Sequence, residues 1–161
     1  MLTLHLLRHA KTNANSDSGL DFDRLLLEKG IRQSKMMAQF FKMNDFQPKF
    51  IFCSSAKRTR ATLKEIQKLH ALEHAVEFRK ELYLASRRDL LSFLCEVKGN
   101  GDVFIIGHNN GLSDLITYLV DDFYDLPTCS FVSITFDVDD WSEVSQSLGK
   151  VAVYFSPKEE G

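Results

Sequence analysis

Short apolar runs and amphipathic segments alternate along the chain. Apolar runs occupy residues 2–7, 50–53 and 103–106, and each is bounded by polar residues. Short runs of this kind, bounded by polar residues, are typical of strands that are buried on both faces of a parallel sheet. The pattern therefore predicts three central strands.

Between these runs, apolar residues recur at helical spacing. This spacing predicts helices over residues 28–43, 57–72 and 112–119. A fourth helix is predicted to begin with a capping box formed by Ser86 and Asp89 and to end near Gly99. Ser54 and Ser55 precede the second helix, where we expect them to act as caps.

The remaining β-rich segments complete a layered fold. The β-rich composition predicts a short strand over residues 75–78 and two strands at the sheet edge over residues 131–136 and 151–155. Strands that alternate with helices indicate an α/β fold. We expect a single three-layer α/β/α domain with a mostly parallel central sheet, spanning residues 1–161 and fraying over residues 158–161.

Composition narrows the class of protein. With 161 residues, 44% of them hydrophobic, the chain is long enough for one domain with a proper core. A net charge of −2 and the lack of a long basic stripe argue against nucleic-acid binding. The three cysteines fit neither a disulfide framework nor paired metal ligands, and no apolar stretch reaches the roughly 20 residues of a membrane span. We therefore expect a cytoplasmic protein that does not bind a membrane.

Candidate catalytic residues follow the carboxyl ends of the predicted strands. Arg8 and His9 follow the first strand, and His108 follows the strand at residues 103–106. Ligands of open α/β sheets bind at these strand ends. Arginine supplies a fixed positive charge, and histidine supplies a nucleophile or proton carrier near neutral pH, so the pairing indicates phosphate chemistry. The alternative is a surface arginine beside a histidine that only supports the fold.

The helix that follows the second strand begins with three cations, Lys57, Arg58 and Arg60. Positive charges in a first turn oppose the helix dipole, at a cost of a few tenths of a kcal/mol. An anion bound at this helix end would offset that cost, because backbone N–H groups and arginine side chains both favour it. Solvated surface charges are the alternative explanation for Lys57 and Arg60.

Three stretches now resemble one known family. They are Arg8 to Thr12 with Asn15, Ser54 and Ser55 with Arg58 and Thr62, and Gly107 to Asn109. In this order they resemble the histidine phosphatase superfamily, which has the phosphoglycerate mutase-like fold, and within it the small phosphohistidine phosphatases of the SixA type. The similarity covers nearly the whole chain.

The resemblance implies a role for each matching residue. His9 would be the nucleophile that forms a phosphohistidine intermediate, while Arg8 and Arg58 would hold the phosphoryl oxygens. His108, if protonated, would add a third positive donor. Glu81 is the nearest positional match to the general acid of larger relatives. The implied substrate-binding residues are Thr12, Asn15 and Asn109, and the family requires neither a metal nor a cofactor.

The resemblance and the short chain together predict a metal-independent phosphatase. The segment between the second and third motifs leaves no room for a large cap domain, so the site could admit a phosphorylated protein side chain. The predicted substrate is protein phosphohistidine and the product is inorganic phosphate. Two alternatives stay open, a phosphatase of small phosphate esters and a phosphate-binding interaction module without turnover.

Overall fold

The computed structural model describes residues 1–158. Of the predicted frayed segment, residues 159–161 lie outside the described residues. Within the described part, the chain forms six strands and four α-helices. The strands are β1 (Leu2–Arg8), β2 (Phe50–Ser54), β3 (Val76–Arg79), β4 (Val103–Gly107), β5 (Phe131–Phe136) and β6 (Gly149–Phe155). The helices are α1 (Glu28–Met43), α2 (Lys57–Gln67), α3 (Arg87–Cys95) and α4 (Gly111–Val120).

All six strands belong to one sheet, in the order β3-β2-β4-β1-β5-β6. The first four in this order run parallel to one another, and β5 and β6 are antiparallel additions beside β1. The predicted mostly parallel sheet is therefore confirmed, as are the two strands on one side of it. Arg8 pairs with Gly107, so β1 and β4 end side by side.

Helices cover both faces of the sheet. Strand β4 shows why, because Phe104 and Ile106 pack under α1 and α2 while Val103 and Ile105 pack under α3 and α4. All four side chains are fully buried, which explains the uninterrupted apolar run in the sequence. The predicted three-layer α/β/α architecture is confirmed.

Helix α1 has its predicted bounds, although Gly30 lies in its first turn. A Cβ atom at this position would lie only 2.1 Å from the carbonyl oxygen of Lys11. Gly30 therefore lets α1 pack directly against the loop that follows β1. This close contact supports the loop that carries the first histidine of the predicted site.

Helix α2 differs from the prediction at both ends. It ends at Gln67 and not at Leu72, because the chain turns there and Leu72 packs against the same core from the following loop. The N-cap is Ala56, without a side-chain hydrogen bond, so the predicted serine cap is wrong. Ser54 is the last residue of β2, and its hydroxyl group contacts His108 instead.

Helix α3 confirms its predicted start and corrects its end. The Ser86 hydroxyl accepts a hydrogen bond of 3.1 Å from the Asp89 N–H group, as expected of a cap. The helix ends at Cys95, four residues before the predicted end at Gly99. Gly99 adopts a φ of 108° in the loop that leads to β4. Its positive φ belongs to this loop and does not mark the helix end.

His5 connects several strands through its ring nitrogens. Nδ1 contacts the Ser133 hydroxyl on β5 at 2.7 Å, and Nε2 contacts a carboxylate oxygen of Asp102 at 2.8 Å. The other oxygen of Asp102 accepts the Lys49 N–H group at 2.9 Å. Burial alone would raise the pKa of Asp102, but the hydrogen bonds from His5 and Lys49 outweigh it and lower the pKa.

We predict that Asp102→Asn lowers the free energy of unfolding by about 1 kcal/mol at neutral pH. The pKa of Asp102 is lower in the folded protein than in the unfolded chain. Its stabilisation is therefore present above the ordinary carboxyl pKa of about 4 and is lost as the pH falls through the folded-state value. Denaturant unfolding from neutral pH to about pH 3 measures this difference.

The control is Asp139→Asn, which removes an exposed carboxylate from the turn after β5. It should leave the unfolding free energy within about 0.5 kcal/mol of the wild-type value. A cost for Asp102→Asn that stays the same at every pH would contradict the assignment.

Candidate active site

The two candidate histidines meet at the carboxyl ends of β1 and β4. The His9 N–H group donates to the Gly107 carbonyl at 3.1 Å, which extends the strand pairing by one residue. The ring centroids of His9 and His108 lie 5.4 Å apart, and both side chains are buried. The structure thus brings together two residues that are far apart in the sequence.

Hydrogen bonding leaves one ring nitrogen of His9 free for chemistry. Nδ1 lies 2.8 Å from the Ala10 carbonyl oxygen, which can only accept, so Nδ1 carries the proton. The Ala10 N–H group is held in turn by the Thr62 hydroxyl at 3.0 Å. The lone pair of His9 is therefore on Nε2, the atom that a nucleophilic role requires.

His9 is neutral at physiological pH. Burial lowers its pKa to about 4. The Ala10 carbonyl works in the opposite direction, but the positive charges of Arg58, Arg8 and Arg24 lower the pKa further. A neutral imidazole is the form that can attack phosphorus.

Two arginines flank the histidines. Arg58, in the first turn of α2, is only 2% exposed, and its Nη1 and Nη2 donate to the backbone oxygen and the carboxylate of Asp21 at 2.8 and 2.9 Å. Arg8 donates from Nη1 to the Leu126 carbonyl at 2.7 Å. These bonds fix the orientation of both guanidinium groups.

His108 is held by Ser54, a residue whose role here the sequence did not predict. The Ser54 hydroxyl lies 2.7 Å from His108 Nε2 and accepts the Ala56 N–H group at 3.4 Å. A hydroxyl that accepts from Ala56 can donate to Nε2, and His108 then carries its proton on Nδ1. Its position at the end of a predicted central strand was the one feature of the sequence that could have placed Ser54 in the site.

The resting form of His108 is neutral. Burial lowers its pKa to about 3, and the charge of Arg58 and the proximity of His9 act in the same direction. The nearby Asp21 carboxylate partly opposes them. This environment therefore disfavours the protonated donor that the resemblance implies.

Three buried nitrogen atoms in this cluster have no hydrogen-bond partner within residues 1–158. They are Nε of Arg8, Nε of Arg58 and Nδ1 of His108. An unpaired buried donor costs about 1–3 kcal/mol, so three of them around one histidine require an explanation. An oxyanion with several lone pairs would satisfy all of them, and the site is therefore built to bind an anion.

Asp21 is a second residue that the sequence analysis did not assign to the site. It belongs to a short 3-10 helical turn, Asp21–Asp23, in the loop after β1. Its carboxylate accepts hydrogen bonds from Arg58, Arg24 and the Tyr83 hydroxyl. Burial alone would raise the pKa of Asp21, but these hydrogen bonds outweigh it and hold the pKa well below its ordinary range. Asp21 is therefore an ionised carboxylate beside the anion site.

Asp21 and Tyr83 form the outer layer of the cluster. The Asp21 side chain is 42% exposed, whereas that of Arg58 is buried beneath it. The Tyr83 ring meets the His108 ring edge-on, with centroids 5.5 Å apart. Asp21 therefore lies on the solvent side of Arg58, and Tyr83 lies against His108.

Glu81 does not have the environment of a general acid. It lies in a 3-10 turn after β3, with its side chain 57% exposed and its carboxylate paired with Arg79. The hydrogen bond from Arg79 lowers the pKa of Glu81. A proton donor needs a raised pKa, so the structure gives no support to the role implied by the resemblance.

The three implied substrate-binding residues have different surroundings. Thr12 is buried, and its hydroxyl accepts from Arg24 at 2.6 Å. Asn15 is exposed and lines a shallow cavity of about 240 Å³ together with Asp21 and Arg24. The Asn109 amide holds the loop before β5, because it donates to the Leu126 carbonyl at 3.1 Å and accepts from Ser113.

Two further searches concern residues 1–158 only. Within them, no group of three or more histidine, cysteine or acidic side chains is arranged to hold a metal ion. No helix in this part of the chain is both long and apolar enough to span a bilayer. The positive charge of the site comes from Arg8, Arg58 and Arg24.

Comparison with known sequences identifies the family. Residues 4–83 match the sequence profile of the histidine phosphatase superfamily, branch 1. An uncharacterised chloroplastic protein of Arabidopsis thaliana is 29% identical over 150 residues, which cover 87% of this chain and 69% of that protein.

Solved structures share the fold. The chain is similar to a candidate phosphohistidine phosphatase SixA of Nakamurella multipartitia, with a TM-score of 0.80, 23% identity and coverage of 96% and 95% of the two chains. It is also similar to the protein histidine phosphatase SixA in complex with tungstate, with a TM-score of 0.78, 20% identity and 96% of each chain covered. A phosphoserine phosphatase of Entamoeba histolytica is more distant, with a TM-score of 0.67, 15% identity and 96% of each chain covered.

Because these structures are less than 25% identical in sequence to the chain, their likeness establishes the fold alone. The match to the sequence profile identifies the family. The profile spans the motifs of Arg8 and Arg58, and the structure places the third motif, that of His108, beside them. The family and the enzyme class expected from the three strand-end motifs are thereby confirmed, and the chain belongs to the histidine phosphatase superfamily.

Proposed function

We propose that the protein is a metal-independent phosphatase that hydrolyses phosphohistidine on a protein through a covalent intermediate on His9. One observation carries this proposal. Unpartnered, buried nitrogens of Arg8, Arg58 and His108 surround a neutral His9 whose Nε2 is free. Positive donors around a nucleophile are what phosphoryl transfer requires, because catalysis depends on positioning and on charge stabilisation.

The first step transfers the phosphoryl group to the enzyme. His9 Nε2 attacks phosphorus in line, the bond from phosphorus to the leaving nitrogen breaks, and its electron pair stays on that nitrogen. Arg8 and Arg58 stabilise the charge on the phosphoryl oxygens. The bound dianion raises the pKa of His108, so that His108 becomes a positive donor in the complex.

The second step returns the enzyme to its resting form. Water attacks phosphorus, the bond to His9 Nε2 breaks, and the electron pair returns to Nε2. Inorganic phosphate retains the protons of the water molecule. The neutral resting state of His9, with its low pKa, makes it ready for the next substrate.

The ionised Asp21 supports phosphohistidine as the substrate. In-line attack puts the leaving group on the side of phosphorus opposite His9, and the partly exposed Asp21, which is bonded to Arg58 and Tyr83, would face a leaving group that points toward solvent. A carboxylate there stabilises an imidazole leaving group that carries its proton on the other ring nitrogen, and it repels the oxyanion that departs from an ester. Glu81 is ionised and paired with Arg79, so it offers an alcohol leaving group no proton.

The partner and the location belong to the same proposal. A phosphorylated protein is the substrate, inorganic phosphate is the product, and no nucleic acid or membrane takes part. All three cysteines are free thiols, which is consistent with the reducing cytoplasm. Only β3, a short 3-10 turn and α3 lie between α2 and β4, which supports a site open to a protein side chain.

The central test is His9→Ala, which we expect to lower phosphate release from a histidine-phosphorylated protein more than about 1,000-fold. Activity is measured with EDTA present, and the wild-type protein should form an acid-labile phosphoenzyme. His74→Ala, which changes an exposed histidine, should keep full activity. Undiminished turnover in His9→Ala would overturn the mechanism. Tight binding of tungstate without turnover of any substrate would instead identify a binding module.

Titration of the ring nitrogens by NMR tests the electrostatic basis of the mechanism. We expect His9 to protonate with a pKa of about 4, because burial and the neighbouring arginines disfavour its cation. Tungstate should raise the pKa of His108, because a bound anion favours the protonated ring. A His9 pKa near the ordinary value of about 6.5 would contradict the neutral, buried nucleophile. An unchanged His108 pKa would contradict its role as a donor in the complex.

Asp21→Asn tests the preference for a nitrogen leaving group. We expect the ratio of kcat/KM for phosphoramidate to kcat/KM for an aryl phosphate to fall about tenfold, which corresponds to about 1.4 kcal/mol. Asp23→Asn is the matched control, because Asp23 lies in the same turn but pairs with Lys57 at 3.6 Å. Equal losses on both substrates would assign Asp21 only to the orientation of Arg58. A wild-type preference for the ester would point to small-molecule phosphate esters.

A further inference from the structure

A cationic groove begins beside the proposed active site. It has a volume of about 700 Å³ and lies along the outer side of α2. Its walls include Leu25, Lys57, Arg60, Lys64 and Phe78, and these five residues define what is termed the α2 groove below. The proposed chemistry at His9 does not use the side chains that line this groove.

The groove is continuous with the loop and the helix that build the site. Lys57 is next to Arg58 in the first turn of α2, and Leu25 follows Arg24, whose guanidinium binds Asp21. On α2, Lys57, Arg60 and Lys64 recur at helical spacing, so they share one face of the helix. Arg58 is buried on a different side and faces the catalytic cluster. A molecule bound in the groove therefore lies next to the open side of the site.

Apolar side chains line the groove beside its cations. Leu25 is 56% exposed and Phe78 is 46% exposed. The Arg60 guanidinium lies over the Phe78 ring, 4.9 Å from its centroid. Phe78 belongs to β3, the outermost strand on this side of the sheet. The groove thus offers an apolar contact bordered by positive charge, which is a common composition of protein interaction sites.

The charge of the groove is unbalanced. Of the eight residues described as lining it, three are cationic and none is acidic. The first turn of α2 also contains no acidic residue, so its cations oppose the helix dipole. The catalytic cluster explains Arg58, and Lys57 lies 3.6 Å from the Asp23 carboxylate, but Arg60 and Lys64 have no acidic partner within residues 1–158. Carboxylates on a bound partner would supply the missing negative charge.

We propose that the α2 groove docks the phosphoprotein substrate through an acidic surface that presents an apolar side chain. This inference rests on the proposed function, because it assumes a protein as the carrier of phosphohistidine. Positive charge along α2 steers the acidic partner toward the site, and Leu25 and Phe78 receive the apolar side chain. A concave groove suits a protruding protein surface better than a flat lipid bilayer.

The double variant Arg60→Glu/Lys64→Glu tests the docking surface. Its substrates are an acidic protein phosphorylated on a surface histidine and free phosphohistidine, which contain the same bond. We expect kcat/KM for the protein to fall about tenfold, mainly through KM, and kcat/KM for free phosphohistidine to stay within about twofold. Added salt should reduce the activity of the wild-type enzyme on the protein much more than that of the double variant.

Lys98→Glu/Lys150→Glu is the matched control, because it changes the net charge equally at exposed lysines outside the groove. Phe78→Ala should weaken activity on the protein alone, since it removes the apolar contact. Equal losses on both substrates, or a loss of the same size in the control, would overturn the docking proposal. Binding of wild-type protein to anionic vesicles that the double variant loses would assign the groove to a membrane surface instead. Failure of the wild-type enzyme on both substrates would refute the proposed function itself.

Discussion

The parallel pairing of β1 with β4 is the constraint on which the site depends. Arg8 and Gly107 are partners in this pairing, so the residues that follow them, His9 and His108, are held beside each other. The buried side chains of both strands fix the register, because a shift by one residue would turn every core side chain to the opposite face. The spacing of the two histidines is therefore maintained by the hydrophobic core on both sides of the sheet.

Burial then determines the charge state of the groups that this pairing assembles. Both histidines are neutral because a charged ring would be poorly solvated and would face Arg58. Hydrogen bonds to Asp21 and to the Leu126 carbonyl hold the guanidinium groups of Arg58 and Arg8 in place. Three nitrogen donors of this cluster have no partner within residues 1–158, and a bound anion would pair with them.

The outer layer of the site and the α2 groove share the loop between β1 and α1. This loop contributes Asp21 and Arg24 to the site and Leu25 to the groove. The proposed leaving-group preference and the proposed partner recognition therefore depend on one short segment, whose start Gly30 holds in place. A loop that a rigid sheet positions in this way can supply selectivity.

Local patterns in the sequence determined the strands, the bounds of α1 and the three motifs around His9, Arg58 and His108. Apolar periodicity and the residues at strand ends depend only on near neighbours, so they can be read without the fold. Partners that are distant along the chain could not be predicted in this way. Tyr83 lies 62 residues from Asp21, and Ser54 lies 54 residues from His108.

Only the tertiary structure decided which polar groups are free to react. Glu81 and Asn109 matched family positions, and the structure pairs Glu81 with Arg79 and Asn109 with the Leu126 carbonyl. Ser54 resembled a helix cap and instead orients His108. The sequence by itself determined which residues arrive at the carboxyl edge of the sheet, whereas packing decided their partners and protonation, because burial and long-range hydrogen bonds exist only in the folded chain.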